Sequence, residues 1–177
     1  ALYKHYDQSL IMGYNPVVKD LLEMAQAKGL PFDKHRVNLL IGGEGFSEAW
    51  RDYVAEILNL NIEDYDQKIV SGYAAADTGV DLGFDYPLCT FTRRLITKYP
   101  ELGDKIFGKR ESEIPLFFQF VPTRVFIEEV DGELLFTSNN SVPLIRYNLH
   151  DRGGVISYKK LTQLLSEYPE YAEFIKD

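Results

Sequence analysis

The chain contains 177 residues, of which 45% are hydrophobic, and carries a formal net charge of −8. One compact domain is the default at this length, and this apolar fraction is sufficient for an ordinary globular core. The negative charge argues against a nucleic-acid partner, because binding to a phosphate backbone requires a basic stripe that the sequence lacks. The single cysteine, Cys89, excludes an internal disulfide framework and a cysteine-cluster metal site.

No apolar run in the sequence reaches the roughly 18 residues that a membrane span requires. The chain also opens without the charged and then apolar pattern of a secretory leader. We therefore expect a cytoplasmic protein with no membrane partner.

The first eighty residues alternate between helix and strand patterns. Asn15-Pro16 begins a helix, because proline at the first helical position loses no hydrogen bond, and Lys28-Gly29 ends it. The apolar residues that recur at helical spacing in this segment are Val17, Val18, Leu21, Leu22 and Ala25. Residues 37–41 and 68–73 are predicted strands. A helix capped by Ser47 separates them, which implies a parallel pair with a crossover helix. The predicted buried stripe of that helix is Trp50, Val54, Ile57 and Leu58.

The second half of the chain changes character at Pro115. Residues 87–99 predict a helix whose core positions are Leu95, Ile96 and Tyr99. Asp131-Gly132 is a strong two-residue hairpin signal. Short strands are predicted at 116–120, 124–130, 133–137 and 144–148, and two short helices around Pro169 in the tail.

The expected fold class is therefore α/β, with a mixed sheet built on a parallel strand-helix-strand core and an antiparallel β appendage. We expect an α/β subdomain at residues 1–114 and a β-rich subdomain with C-terminal helices at 115–177. One continuous unit is the alternative division.

In each of three segments, an apolar run is followed by small residues and one polar group. They are Gly42-Gly43-Glu44-Gly45, Ser71-Gly72-Tyr73-Ala74-Ala75-Ala76-Asp77-Thr78-Gly79 and Ile145-Arg146-Tyr147-Asn148-Leu149-His150-Asp151. In this order they resemble the central nucleotide-binding motifs of the adenylate-forming (AMP-forming) acyl- and aryl-CoA ligase superfamily. The similarity is nearest to its phenylacetate–CoA ligase-like branch and runs from about residue 12 to residue 154.

The resemblance implies a role for each matched residue. Gly43 and Glu44 would line the adenine pocket, and Tyr73, followed by Ala74, would stack on the base. Asp77 stands where the family has a glutamate beside Mg²⁺ and the phosphates. The third motif would contribute the ribose-binding carboxylate and its flanking residues, which are Asp151 and then Arg146, Tyr147, His150 and Arg152.

The chemistry of these residue types is suited to a nucleotide. An aromatic ring stacked on adenine contributes about 0.5–1.5 kcal/mol beyond area burial, and glycine lets the backbone approach a ligand closely. A carboxylate that accepts from both ribose hydroxyls makes two charge-assisted hydrogen bonds, together worth on the order of 3 kcal/mol. A further carboxylate near the phosphates suits Mg²⁺, which prefers oxygen ligands.

The sequence also departs from the family pattern. Ala74 replaces a glycine, Ala76 a threonine or serine, and Asp77 a glutamate. In the third motif the family's arginine, threonine and glycine are here Asn148, Leu149 and His150. The family's glycine-rich phosphate loop and its C-terminal lysine domain do not occur in this sequence, so we expect the chain alone to be inactive.

The functional expectation is the central ATP- and AMP-binding segment of a ligase that joins a small carboxylic acid to coenzyme A or a carrier thiol. ATP and Mg²⁺ would serve the acyl-adenylate step. Two alternatives remain open: a non-catalytic homologue or scaffold domain that has lost nucleotide binding, or one subunit of a split ligase whose other domains lie on partner chains. A homo-oligomer is also compatible with the sequence. Asp81 and Asp85 are expected to be loop decoration rather than acid–base catalysts.

Overall fold

The computed structural model describes residues 5–32, 36–61, 68–108, 114–139 and 142–176. In chain order the elements are β1 (Gln8–Gly13), α1 (Asn15–Ala27), β2 (Arg36–Ile41), α2 (Glu48–Ile57), β3 (Ile69–Ala75), β4 (Gly79–Phe84), α3 (Pro87–Lys98), α4 (Pro100–Phe107), β5 (Val125–Val130), β6 (Glu133–Asn139), β7 (Pro143–Arg152), α5 (Tyr158–Leu165) and α6 (Pro169–Phe174). The expected mixed α/β class with a separate antiparallel sheet is confirmed.

The chain divides into two compact units. Unit 1 comprises the described residues up to Phe91 together with Leu116–Phe120, and unit 2 comprises the other described residues from Thr92 onward. The division falls inside α3 and leaves the short segment Leu116–Phe120 with unit 1.

Unit 1 contains a four-stranded sheet in the order β1-β2-β3-β4. β1, β2 and β3 are parallel, and β4 returns antiparallel to β3. The predicted strand-helix-strand pair is β2-α2-β3. β1 and β4 were not predicted. β1 lacks a period-two pattern, whereas β4 has one at Val80, Leu82 and Phe84, but two glycines weaken its strand signal.

Helix α1 begins and ends where the sequence predicts. It starts at Asn15 with proline next, and after Lys28 the chain turns at Gly29, whose φ is +70°. Its buried apolar residues are Val18 and Leu22. Val17 and Leu21 share the helical spacing of the apolar residues but are 64% and 48% exposed. The helix contacts the sheet only through the narrow stripe that contains Val18 and Leu22. Val17 and Leu21 each precede a stripe residue by one position, and their side chains point away from the sheet.

Helix α2 covers the sheet with the expected residues. The Ser47 side chain accepts a hydrogen bond from the Trp50 backbone N–H at 3.2 Å and caps the helix. The core of unit 1 consists of Val18, Leu22, Val37, Leu39, Ile41, Phe46, Val54, Ala55, Ile57, Leu58 and Ile69. Trp50 packs against this cluster while partly buried.

A buried ion pair joins α2 to the carboxyl side of the sheet. The Arg51 guanidinium donates to the Asp85 carboxylate and to the carbonyl oxygen of Ile69, and its Nε lies 3.0 Å from Glu48. Asp85 also accepts from the backbone N–H of Ser71. Asp85 is only 2% exposed, so the expectation that it decorates a surface loop is wrong.

Burial and charge oppose each other at this pair. Burial raises the pKa of Asp85 to about 6, although Arg51 and the Ser71 N–H stabilise its charged form. Burial works to lower the pKa of Arg51, but the nearby Asp85 and Glu48 carboxylates outweigh it and raise that pKa. Burying the pair therefore costs desolvation free energy. Removing one partner costs more, because the other charge is left buried without compensation.

Unit 2 contains the three-stranded antiparallel sheet β5-β6-β7. Its first hairpin turns at Asp131 and Gly132, whose φ angles are +54° and +81°, as the Asp-Gly signal predicts. The predicted core positions Leu95 and Ile96 of α3 are buried. β7 extends four residues beyond its predicted end at residue 148. The strand predicted at residues 116–120 does not form, and within this segment only Gln119 makes an isolated β-bridge, to Phe84 in unit 1.

The helices of unit 2 pack through charged and aromatic contacts. α4 was not predicted, and its residue Lys105 lies 2.6 Å from Glu167, just after α5. The rings of Tyr99 and Tyr168 have centroids 4.8 Å apart. These contacts hold α4 and the tail helices together around the buried residues Leu161 and Leu165, which occupy one face of α5.

The first prediction concerns the pH dependence contributed by Asp85. The folded-state pKa of about 6 lies above the ordinary 3.8, so the folded protein keeps a proton that the unfolded chain releases. This stabilising contribution is complete below about pH 4 and is lost as pH rises through about 6. In urea unfolding, the stability difference between wild type and Asp85→Asn should fall by on the order of 2–3 kcal/mol between pH 4 and 7.

Asp104→Asn, which removes an exposed carboxylate from α4, is the matched control and should keep the wild-type pH profile. Parallel pH profiles for wild type and Asp85→Asn would contradict the prediction.

Candidate functional site

The first two predicted motifs lie side by side at the carboxyl edge of the parallel sheet. Pairing between β2 and β3 ends at Ile41 and Ser71. A Cβ atom placed on Gly42 would lie 3.8 Å from the carbonyl oxygen of Gly72, an ordinary contact between two residues that lie side by side. β3 continues to Ala75 as one arm of the β3-β4 hairpin, and it carries Tyr73 and Ala74 past the parallel pairing.

The glycine turn after β2 depends on the absence of side chains. Gly43 has a φ of +88°, and a Cβ there would lie 3.4 Å from the Tyr14 ring. A Cβ on Gly45 would lie 2.9 Å from the Leu116 side chain. A left-handed backbone at Gly43 favours glycine, and the close packing at Gly45 leaves little room for a larger residue.

Tyr14 and Asn15, which follow β1, support this turn, and neither was predicted to belong to the site. The Tyr14 hydroxyl hydrogen-bonds to Glu44, and this bond raises the pKa of the Tyr14 phenol. The Asn15 side chain is buried and donates from Nδ2 to the carbonyl oxygen of Gly45 at 3.2 Å. A prediction of β1 would have revealed both, since parallel strands end at the same edge of a sheet.

Tyr73 is half-buried and stacked on another ring. Its ring centroid lies 5.3 Å from that of Phe118, and the two rings are inclined by 18°. The backbone of Gln119 pairs with that of Phe84 through two hydrogen bonds of 2.8 and 3.0 Å, which fixes the Phe118 segment beside the hairpin. Phe118 is thus a half-buried neighbour of the predicted stacking tyrosine.

The remaining residues of the second motif are exposed. Ala74 is an exposed residue of β3, and Asp77 lies exposed in the turn between β3 and β4. Among the described residues, no three His, Cys, Asp or Glu side chains form a metal-binding group.

The third motif lies within β7, which is distorted at two places. Leu135 pairs with Asn148, but Glu133, two residues earlier in β6, pairs with Arg152. Three β7 residues, 149–151, thus oppose a single β6 residue. A second shift lies nearer the start of β7, and Arg146 and His150 have left-handed φ angles of +53° and +61°. Such bulges redirect side chains and increase local twist.

Side-chain hydrogen bonds accompany the bulge at residues 149–151. The His150 backbone N–H donates to Asn148 Oδ1 at 2.6 Å, and Asn148 Nδ2 donates to Glu133 Oε2 at 2.6 Å. His150 Nδ1 lies 3.7 Å from Glu133 Oε1. The Asn148 donor and the adjacent His150 and Arg152 lower the pKa of Glu133.

The other residues of the third motif have the following positions. The Arg146 backbone N–H donates to Thr137 Oγ1 at 3.0 Å, and its Nε lies 3.4 Å from Glu128. Tyr147 is half-buried and pairs with Phe136. Asp151 and Arg152 are exposed strand residues.

The predicted site residues fall into two groups. Unit 1 holds Gly43, Glu44, Tyr73, Ala74 and Asp77, and its geometry brings the glycine turn and the β3 extension together. Unit 2 holds Arg146, Tyr147, His150, Asp151 and Arg152 on one bulged strand. The placement of both groups around one nucleotide stays a prediction.

No protein-family model matches the chain, and no curated protein matches it. Within the part of the chain that the structure describes, no helix combines the length and apolar character needed to cross a membrane.

The second prediction tests the glycine turn with two adjacent substitutions. Gly43→Ala should lower the free energy of unfolding by about 1–2 kcal/mol, because the left-handed conformation is costly for a residue with a Cβ. Gly42→Ala is the matched control, since its Cβ would meet only an ordinary contact at 3.8 Å. Urea unfolding measures both, and equal losses of stability would show that the turn does not require glycine at residue 43.

Proposed function

We propose that this chain supplies the adenine-nucleotide-binding segment of an AMP-forming ligase that joins a small carboxylic acid to coenzyme A or a carrier thiol. The observation that carries the proposal is the side-by-side position of Gly42 and Gly72 where the pairing of β2 and β3 ends. It sets the glycine turn beside the aromatic residue Tyr73, and ligands of α/β sheets commonly bind outside the carboxyl ends of the strands.

The backbone of the third motif supports the same proposal. The ligase family that the sequence resembles has a glycine where His150 stands, and glycine is the residue that most readily adopts a positive φ. His150 has a φ of +61° although it is not glycine. The backbone at residue 150 therefore has a conformation that would suit the glycine of that family.

Each residue has a role in the proposed complex. Tyr73 provides an aromatic face for adenine, and the backbone of Gly43 with the Glu44 carboxylate lines the base pocket. Asp151 accepts hydrogen bonds from the two ribose hydroxyls. Mg²⁺ would neutralise phosphate charge when bound, and Asp77 is the carboxylate of this chain assigned to that side of the nucleotide.

The proposed reaction has two balanced steps. A carboxylate oxygen of the acid attacks the α-phosphate of ATP, a new P–O bond forms, the bond to the β-phosphate oxygen breaks, and pyrophosphate leaves. The sulfur of a thiol then attacks the acyl carbon, loses its proton, and releases AMP. This chain is assigned the binding and orientation of the nucleotide. The phosphate-loop and lysine contributions are assigned to other polypeptide segments, because neither motif occurs among the 177 residues.

The third prediction is that the protein binds ATP and that Asp151→Ala weakens the binding. Two charge-assisted hydrogen bonds worth on the order of 3 kcal/mol correspond to roughly a hundredfold rise in Kd. Isothermal titration calorimetry with MgATP measures the change. Asp104→Ala, which removes an exposed carboxylate elsewhere in unit 2, should leave Kd unchanged. Equal affinities of wild type and Asp151→Ala would exclude the ribose role.

The fourth prediction concerns the ring of Tyr73. Stacking on a base contributes about 1–3 kcal/mol, so Tyr73→Ala should raise the Kd for ATP at least about fivefold. Tyr73→Phe keeps the ring and should remain within about twofold of wild type, since stacking does not need the hydroxyl. Tyr158→Ala removes an exposed tyrosine from α5 and serves as the control. Unchanged affinity in a folded Tyr73→Ala protein would exclude the stacking role.

A further inference from the structure

The bulge in β7 that contains Asp151 is bounded on both sides by interactions with one residue of β6. On its N-terminal side, the Asn148 side chain donates to Glu133. On its C-terminal side, Arg152 is the register partner of Glu133. Asp151 lies between these two attachments, so its direction depends on how the bulge is held.

We infer that Asn148, anchored by Glu133, is a positioning residue that fixes the left-handed backbone of His150 and thereby the direction of the Asp151 carboxylate. Its consequence for ligand binding rests on the proposed function, in which Asp151 holds the ribose. The structural part of the inference concerns the bulge alone.

The His150 backbone needs such support. A left-handed φ costs a residue with a Cβ roughly 1–2 kcal/mol, and such residues persist only where surrounding contacts hold them. The contact here is the 2.6 Å hydrogen bond from the His150 N–H to Asn148 Oδ1. An asparagine side chain that accepts from the N–H two residues later is a recurrent way to stabilise a turn.

Glu133 attaches this local turn to β6, because its carboxylate accepts a hydrogen bond from the Asn148 side chain. It is the first residue of β6 and follows the Asp131-Gly132 turn, in which the Gly132 N–H donates to Glu129 Oε1 at 2.7 Å. The Asn148 side chain therefore bonds to a carboxylate that a tight hairpin holds in place. Because the hydrogen bonds and neighbouring positive groups lower the pKa of Glu133, it remains an ionised acceptor at neutral pH.

Asparagine suits this position because it is a donor and an acceptor at once. Aspartate would keep the acceptor for the His150 N–H, but it would lose the donor to Glu133 and set two carboxylates against each other. Alanine would lose both bonds. Comparing the two substitutions therefore separates the effect of the bond to the His150 N–H from the effect of the bond to Glu133 in β6.

The fifth prediction is tested by a double-mutant cycle on the full 177-residue chain. The variants are Asn148→Ala, Asn148→Asp, His150→Gly and the double variant Asn148→Ala/His150→Gly. Asn139→Ala, an exposed asparagine of the same sheet, is the control. Two readouts are taken: the hydrogen-exchange rate of the residue 150 amide by NMR, and the Kd for MgATP by calorimetry.

Asn148→Ala should speed exchange of the His150 amide about fivefold, the loss expected for one hydrogen bond of about 1 kcal/mol. It should raise the Kd for MgATP by about the same factor, and Asn148→Asp should lie between Ala and wild type. The double variant should recover to within about twofold of wild-type affinity, because glycine adopts the positive φ without the cost that histidine bears.

Unchanged exchange at residue 150 in Asn148→Ala would overturn the inference, as would a double variant that binds no better than Asn148→Ala while wild type binds MgATP. If wild type itself fails to bind MgATP, the proposed function fails, and the exchange rates alone decide the role of Asn148. Should Asn148→Ala not fold, the Kd of Asn148→Asp for MgATP decides, because this variant loses the bond to Glu133, and wild-type affinity would overturn the inference.

Discussion

The arrangement of unit 1 depends on the buried pair of Arg51 and Asp85. Arg51 reaches from α2 to the Ile69 carbonyl in β3, and Asp85 reaches from the end of β4 to the Ser71 N–H. One ion pair thus connects a crossover helix, a parallel strand and the return arm of the hairpin. The Arg51 guanidinium also lies 4.9 Å from the centre of the Phe46 ring, which ties it to the apolar core. A buried ion pair adds little net stability. Its hydrogen bonds nevertheless fix the positions of these three elements relative to one another.

That constraint acts directly on the candidate site, because Ser71 is the last β3 residue paired with β2. Holding Ser71 sets the position of Gly72, which lies beside Gly42. The hairpin beyond it then carries Tyr73, with Phe118 stacked on its ring. In unit 2 the candidate residues lie on a strand with two bulges. Side chains accept hydrogen bonds from the backbone N–H groups at these bulges. Small residues allow a close approach in the first case, and hydrogen bonds stabilise an unfavourable backbone in the second.

The sequence predicted features that depend on neighbours along the chain. The Ser47 cap, the glycine after α1 and the Asp131-Gly132 turn are each decided within a few residues, and all three are confirmed. Several features that depend on distant partners were missed or wrong, although the parallel pairing of β2 with β3 was predicted. β1 and β4 acquire strand structure by pairing with β2 and β3, and Val17 is exposed because the sheet meets only the neighbouring stripe of α1.

The sequence by itself determined the fold class, the candidate motifs and the residue types suited to a nucleotide, since these follow from local periodicity, turn chemistry and functional groups. Only the tertiary structure decided that Asp85 is a buried ion-pair partner and that Tyr14 and Phe118 lie against the predicted residues Gly43 and Tyr73. It also decided that Asn148 bonds to Glu133. The physical reason is common to all of these: burial, pairing register and hydrogen-bond partners are properties of two segments brought together. Neither segment encodes its partner in its own pattern.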